Sequence, residues 1–187
     1  MSRAYFQDTM LSLTRVFRSR LFMPIAKPLI RLGVHADHVT LVSFMSGLIA
    51  VWFAFSSHSL FILFALIHLF GDAIDGVIAR ATKPTIYGEY LDKLNDQSIA
   101  VLLLLKFSVI QKNQFILAVI VLFVLHMAIY VLSRRKYPVI FIRLIVFIAF
   151  ILKYPLAGTI IAGGATVLGL VLQFYQFTLF SRKKKAM

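Results

Sequence analysis

The stretch FILFALIHLFGDAIDGVIAR, Phe61 to Arg80, is an apolar run that ends in two aspartates three residues apart. With its polar end included, the segment of about 60–81 has the ~20 residues a helix needs to cross the hydrocarbon core of a bilayer. Ionised carboxylates at the edge of such a segment are costly to place, and they mark a functional site by default. The stretch therefore decides both the solvent of the chain and where its chemistry sits.

The rest of the composition agrees with a membrane solvent. The 187 residues are 60% hydrophobic, more than a soluble domain of this length can bury. There is no cysteine, so disulfide scaffolds and thiolate metal sites are excluded. The net charge of +13 flanks the apolar segments, which fits anionic headgroups and topology; no nucleic-acid partner is expected. The N-terminus carries Arg3, Arg15, Arg18 and Arg20 and has no clean apolar core with a cleavage site, so it does not resemble a signal peptide.

Outward from the opening stretch, the hydropathy pattern predicts an all-α integral membrane protein. An amphipathic helix over about 17–32, interrupted by Pro24 and Pro28, lies in the interface, and a turn follows at Gly33–His38. Six spans are expected at about 39–57, 60–81, 87–110, 114–133, 138–153 and 156–180, forming a six-helix bundle. The domain division is 1–33 interfacial, 34–181 membrane domain and 182–187 basic tail. Gly158, Gly163, Gly164 and Gly169 read as close helix contacts in the last span. With the N-terminus inside, the cytoplasmic segments hold most Lys and Arg, while the far side keeps Lys106, Lys112 and Lys153; both termini then face the cytoplasm.

The seven acids are Asp8, Asp37, Asp72, Asp75, Glu89, Asp92 and Asp96. At helical spacing Asp72, Asp75, Gly76 and Ala79 share an arc of about 100°. Gly88, Asp92 and Asp96 recur at i, i+4, i+8. Between them RATKPTIYG reverses the chain at Pro84, so the two stripes can face each other at the cytoplasmic edge. Four carboxylates in one volume need basic neighbours or a divalent cation, and oxygen donors without His or Cys favour Mg²⁺, Mn²⁺ or Ca²⁺. Gly76 and Ala79 leave room for a phosphate ligand. Salt bridges to Arg80, Lys83 and Lys93 alone would not require this phasing. The five histidines show no mutual ligand spacing; His68, four residues before Asp72, suits a buried, hydrogen-bonded role better than a contact to that acid.

Written out, Asp72-x2-Asp75-Gly76-x2-Ala79-Arg80-x7-Gly88-x3-Asp92-x3-Asp96 resembles the signature of the CDP-alcohol phosphotransferase (CDP-alcohol phosphatidyltransferase) family. The resemblance implies transfer of a phosphatidyl group from a CDP-linked lipid, CDP-diacylglycerol or an archaeal ether-lipid equivalent, to a small alcohol, with release of CMP. It implies that Asp72, Asp75, Asp92 and Asp96 hold two divalent ions, Mg²⁺ or Mn²⁺, and that Asp96 is the general base. Gly76, Ala79, Arg80 and Gly88 would line the CDP site, with a weaker suggestion for Thr40, and a homodimer is implied. HADHVT carries Ala36 and Asp37 where the family usually has Pro-Asn.

For the acceptor, Arg134, Arg135 and Lys136 follow the fourth span and Arg143 lies inside the fifth. An intramembrane Arg suits an anionic partner, which favours a polyol phosphate such as inositol phosphate or glycerol phosphate. Yet Thr40-Leu-Val-Ser-Phe lacks the Arg that phosphatidylglycerophosphate synthases often carry, and Leu91-Asp92-Lys93 lacks their usual Pro, which counts against that subfamily. The interval from Arg135 to Arg143 is also short for a phosphatidylinositol-type synthase. The alternatives are a membrane prenyltransferase using Mg-diphosphate, which does not predict Gly76, Ala79, Arg80 and Gly88, and a cation transporter. The latter places carboxylates near the midplane and not at one edge.

Overall fold

The computed structural model describes residues 20–82, 86–133 and 142–185, with the side chains of residues 86–94, 96 and 179–185 outside the description. The described residues form seven helices and no strand. They are α1 (residues 20–31), α2 (Ala36–Phe53), α3 (His58–Ala81), α4 (Ile86–Gln111), α5 (Gln114–Leu132), α6 (Arg143–Ile151) and α7 (Pro155–Lys185).

Local hydrogen bonding, more than hydropathy, sets the helix ends. α1 closes in a Schellman turn: Gly33 N–H donates to Ile30 O and Val34 N–H to Leu29 O, both at 3.0 Å, with Gly33 at φ 75°. α2 can therefore begin at Ala36, ahead of the expected residue 39. It ends at Phe53, whose carbonyl takes the N–H groups of Ser56 and Ser57 at 3.1 and 3.0 Å. α6 ends like α1, with Lys153 N–H on Phe150 O at 3.2 Å and Tyr154 N–H on Ala149 O at 2.8 Å. Here, however, a lysine takes the left-handed position, at φ 63°. Lys112, after α4, does the same at φ 49°, with Asn113 N–H reaching Ser108 O at 3.3 Å. A residue with a Cβ is less stable there than glycine by about 1–2 kcal/mol.

α2, α3, α5 and the Pro155–Thr178 part of α7 are each long and apolar enough to cross a membrane. The apolar part of α4 whose side chains are described is shorter, Gln97–Gln111, and α6 has nine residues. Of the expected fifth span, residues 138–141 lie outside the described residues. Large apolar side chains point outward, Trp52 at 73%, Phe174 at 71% and Val121 at 65% exposure, a surface that a bilayer solvates and water does not.

The described residues pack as two compact units, one of residues 20–52 and 59–96, the other of 53–58 and 97–185. In the first, α1 lies on α3: fully buried Ala26 meets Val77 and Ile78, ringed by Phe22, Met23, Leu29, Ile30 and Ile74. Pro24 and Pro28 do not break α1, because both sit on its exposed side, where the carbonyls they leave without an N–H need no protein partner.

In the second unit α7 packs on both α5 and α6. Three of the four glycines expected at helix contacts are there: a Cβ on Gly158 would overlap that of Ala149, one on Gly163 would meet Val119 Cγ2 at 3.0 Å, and one on Gly169 would enter the His126 ring. Gly164 has nothing within 4 Å and makes no such contact. Thermal denaturation in detergent is expected to show Gly158→Leu destabilised by about 1–3 kcal/mol through overpacking against α6. Gly164→Ala meets no neighbour and should be neutral or more stable by about 0.5–1 kcal/mol, since alanine is favoured over glycine inside a helix.

Candidate active site

The last turns of α3 carry the two aspartates of the opening stretch, and both are buried, Asp72 at 7% exposure and Asp75 at 2%. Two ionised groups out of water need compensation by hydrogen bonds and opposite charge. One compensation comes from α2. Thr40 Oγ1 lies 2.8 Å from Asp75 Oδ2 and 3.1 Å from Ala36 O. The hydroxyl has one proton, and the shorter, charge-assisted bond to the carboxylate is the stronger of the two. Thr40, a weak nucleotide-site candidate in the sequence, thus stands against the second aspartate and fixes its orientation.

One turn deeper, α2 and α3 are tied again. Ser43 Oγ donates to His68 O at 2.8 Å, and His68 Nδ1 lies 2.9 Å from Ser43 O, so the ring donates from Nδ1. His68 is 1% exposed and takes the hydrogen-bonded, buried role expected of it. Between these two ties Gly71 touches Ser43: an added Cβ would stand 2.8 Å from Ser43 Cβ. The buried residues of α2 are Ser43, Ser46, Gly47 and Ala50, all small, so one narrow face of α2 lies against its neighbours. This seam is the part of the site that sequence reasoning missed. Its signal is the recurrence of small residues at i, i+3, i+4 and i+7 in an otherwise bulky span.

On the same helix face as the aspartates, Gly76 leaves room for the Arg80 side chain, which folds back along α3 until its Nη1 is 3.4 Å from where a Cβ would be. Arg80 is exposed and Ala79 half-buried, so a cation stands at the mouth of the stripe with no bulky side chain between it and the carboxylates. The backbone of α4 carries Gly88, Asp92 and Asp96 within an arc of about 80°. The side chains of Asp92 and Asp96 lie outside the described residues. Among the described residues no three His, Cys, Asp or Glu side chains cluster. What the described residues do supply, two buried carboxylates one turn apart with a hydroxyl orienting one of them, is an all-oxygen donor set that fits a hard divalent cation. Of the acceptor candidates, Arg143 opens α6 in the other unit, half-buried, and Arg134 and Arg135 lie outside the described residues.

Removing the Thr40 hydroxyl takes away the donor that stands 2.8 Å from Oδ2 of the buried Asp75. Thr40→Val is expected to lower stability by about 1.5–3 kcal/mol in thermal melts, whereas Thr40→Ser, which keeps the hydroxyl, should melt close to the parent chain.

A family model, CDP-alcohol phosphatidyltransferase, matches residues 34–180. No curated protein matches the chain.

Proposed function

The chain belongs to the CDP-alcohol phosphatidyltransferase family, and we propose that it transfers the phosphatidyl group of a CDP-linked lipid to the hydroxyl of a small alcohol, releasing CMP. Family membership and the four long apolar helices make it an integral membrane transferase of phosphate-containing groups, acting in phospholipid synthesis. The observation that carries the finer reading is the pair of buried carboxylates, Asp72 and Asp75, beside the open face at Gly76 and Ala79.

In this reading the acceptor hydroxyl gives its proton to Asp96 as its oxygen bonds to the phosphorus that bears the lipid. The bond from that phosphorus to the CMP oxygen breaks, and CMP leaves with the electron pair. Asp72, Asp75, Asp92 and Asp96 would hold two divalent ions, Mg²⁺ or Mn²⁺, which supply neutralisation of diphosphate and leaving-group charge. Thr40 holds Asp75 in one rotamer throughout. Gly76 and Ala79 leave the CDP head room at α3, Arg80 faces its phosphates, and Gly88 lets the head lie close to α4. The donor is CDP-diacylglycerol or its ether-linked equivalent, whose chains stay in the bilayer.

The finer topology follows the charge pattern. α2 to α7 would make six spans, with α1 in the cytoplasmic interface, both termini inside and the site at the cytoplasmic edge. A homodimer is the assembly that the family resemblance implies. Arg143, with Arg134 and Arg135, would take a phosphate on the acceptor, which makes a polyol phosphate such as inositol phosphate or glycerol phosphate the favoured alcohol.

The test is CMP release from CDP-diacylglycerol by purified protein with Mg²⁺, alcohols being added singly. One alcohol should support release, Asp96→Asn should lower the rate by about 10²–10⁴-fold, and EDTA should abolish it. Arg143→Gln should raise KM for a phosphorylated acceptor by about tenfold or more, with a smaller change in kcat. Protein that binds no CDP-lipid, ester- or ether-linked, would overturn the reading and return the prenyltransferase and transporter alternatives.

A further inference from the structure

The last acidic residue of the chain is Asp96, so the second unit, residues 97–185, has no carboxylate side chain. Lysines in this unit have only anions from outside it as counter-charges. At one end of the unit the α4–α5 turn and the α6–α7 turn meet around a cavity of ≈ 330 Å³. Phe107, Gln111, Asn113, Lys153 and Tyr154 line it together with the first turn of α7, and Lys112 stands between two of the lining residues.

The chemistry of this cavity is that of an anion site. Lys153 supplies a cation, Gln111 an amide, and Asn113 its amide NH2, the Asn113 oxygen being taken by Phe115 N–H; the first turn of α7 supplies the N–H groups of Leu156 and Ala157, since Pro155 has none and Gly158 N–H goes to Tyr154 O. Its apolar side is firm: Phe107 packs on Phe55 at 6.0 Å and on Phe150 at 5.5 Å, and Lys106 Nζ stands 5.8 Å from the centre of the Phe55 ring. The two left-handed non-glycine residues among the described residues, Lys112 and Lys153, are the lysines of these two turns. Glycine is easier at both positions, so each lysine is held against the local backbone preference and brings a charge that capping does not require. α5 and α7 begin here; Leu156 lines the cavity, and Phe115 and Ile160 are exposed apolar side chains on the first turns of the same two helices.

We propose that this cavity binds the headgroup phosphate of an anionic phospholipid, with the acyl chains lying along the exposed faces of α5 and α7. The phosphate meets Lys153, Lys112 and the α7 N–H groups, while the headgroup alcohol meets Gln111 and Asn113. This lipid is a ligand and not a reactant, for the cavity contains none of the carboxylates of the transferase site.

The experiment is native mass spectrometry of the full chain in neutral detergent, titrated with dioctanoyl phosphatidylglycerol, dioctanoyl phosphatidylcholine or inorganic phosphate. The decisive variant is Lys112→Gly/Lys153→Gly, which removes both charges while giving each turn the residue it accepts most easily. Its melting temperature should equal or exceed that of the parent, and its affinity for phosphatidylglycerol should fall by about tenfold or more. Lys112→Arg/Lys153→Arg should retain the affinity. Unchanged phosphatidylglycerol binding by the glycine variant overturns the site, as does equal binding of phosphatidylcholine. Inorganic phosphate that binds as tightly as the lipid overturns the lipid assignment in favour of a soluble anion. CMP release plays no part in these readouts, so the result is independent of the transferase reading.

Discussion

The hydrogen bond from Thr40 to Asp75 is where the apolar and polar demands on this chain meet. A buried carboxylate on a membrane helix is tolerable only with a donor at the right distance, and α2 brings one to 2.8 Å. That distance depends on how near α2 can come to α3. The small residues of α2, the glycine at 71 and the reciprocal bonds of Ser43 and His68 allow the near approach. Packing in the apolar part of the seam and electrostatics at its polar end are therefore one problem. A bulkier residue at 71 would damage Asp75 without touching it.

The two units differ in their acids. All of the acids lie in the first 96 residues, and the chain beyond them carries only basic ionised side chains. In the second unit Thr159 and Thr166 bond back within α7, to Pro155 O and Ala162 O, whereas Gln173 donates across to His126 O on α5.

Much of this was legible in the sequence, and the limits have physical causes. The helices from α3 to α5 fall within one or two residues of the expected spans, because long apolar runs bounded by polar turns leave few alternatives. α2 was misplaced by about three residues at each end, since a hydropathy window does not register a left-handed glycine or a carbonyl that takes two N–H groups. Asp72 and Asp75 stood out by charge alone. His68 stood out as a buried, hydrogen-bonded histidine, but its partner Ser43 did not, because a serine in a membrane span bonds to its own helix as readily as to another. Of four glycines in α7, spacing could not single out Gly164 as the one that touches nothing. The continuity of α1 through two prolines also depends on which side faces outward, and composition does not state that.

The knot of Ala26, Val77 and Ile78 has a consequence for the order of assembly. α1, α2 and α3 are consecutive, and every tie described between them closes within residues 22–78. A chain made from its N-terminus can therefore complete this block while α4 is still to be synthesised. For that interval Asp75 has its Thr40 donor while Asp92 and Asp96 are still to be made. Two acids are the easier number to bury, and the further charges of Asp92 and Asp96 come last, with the helix that carries them.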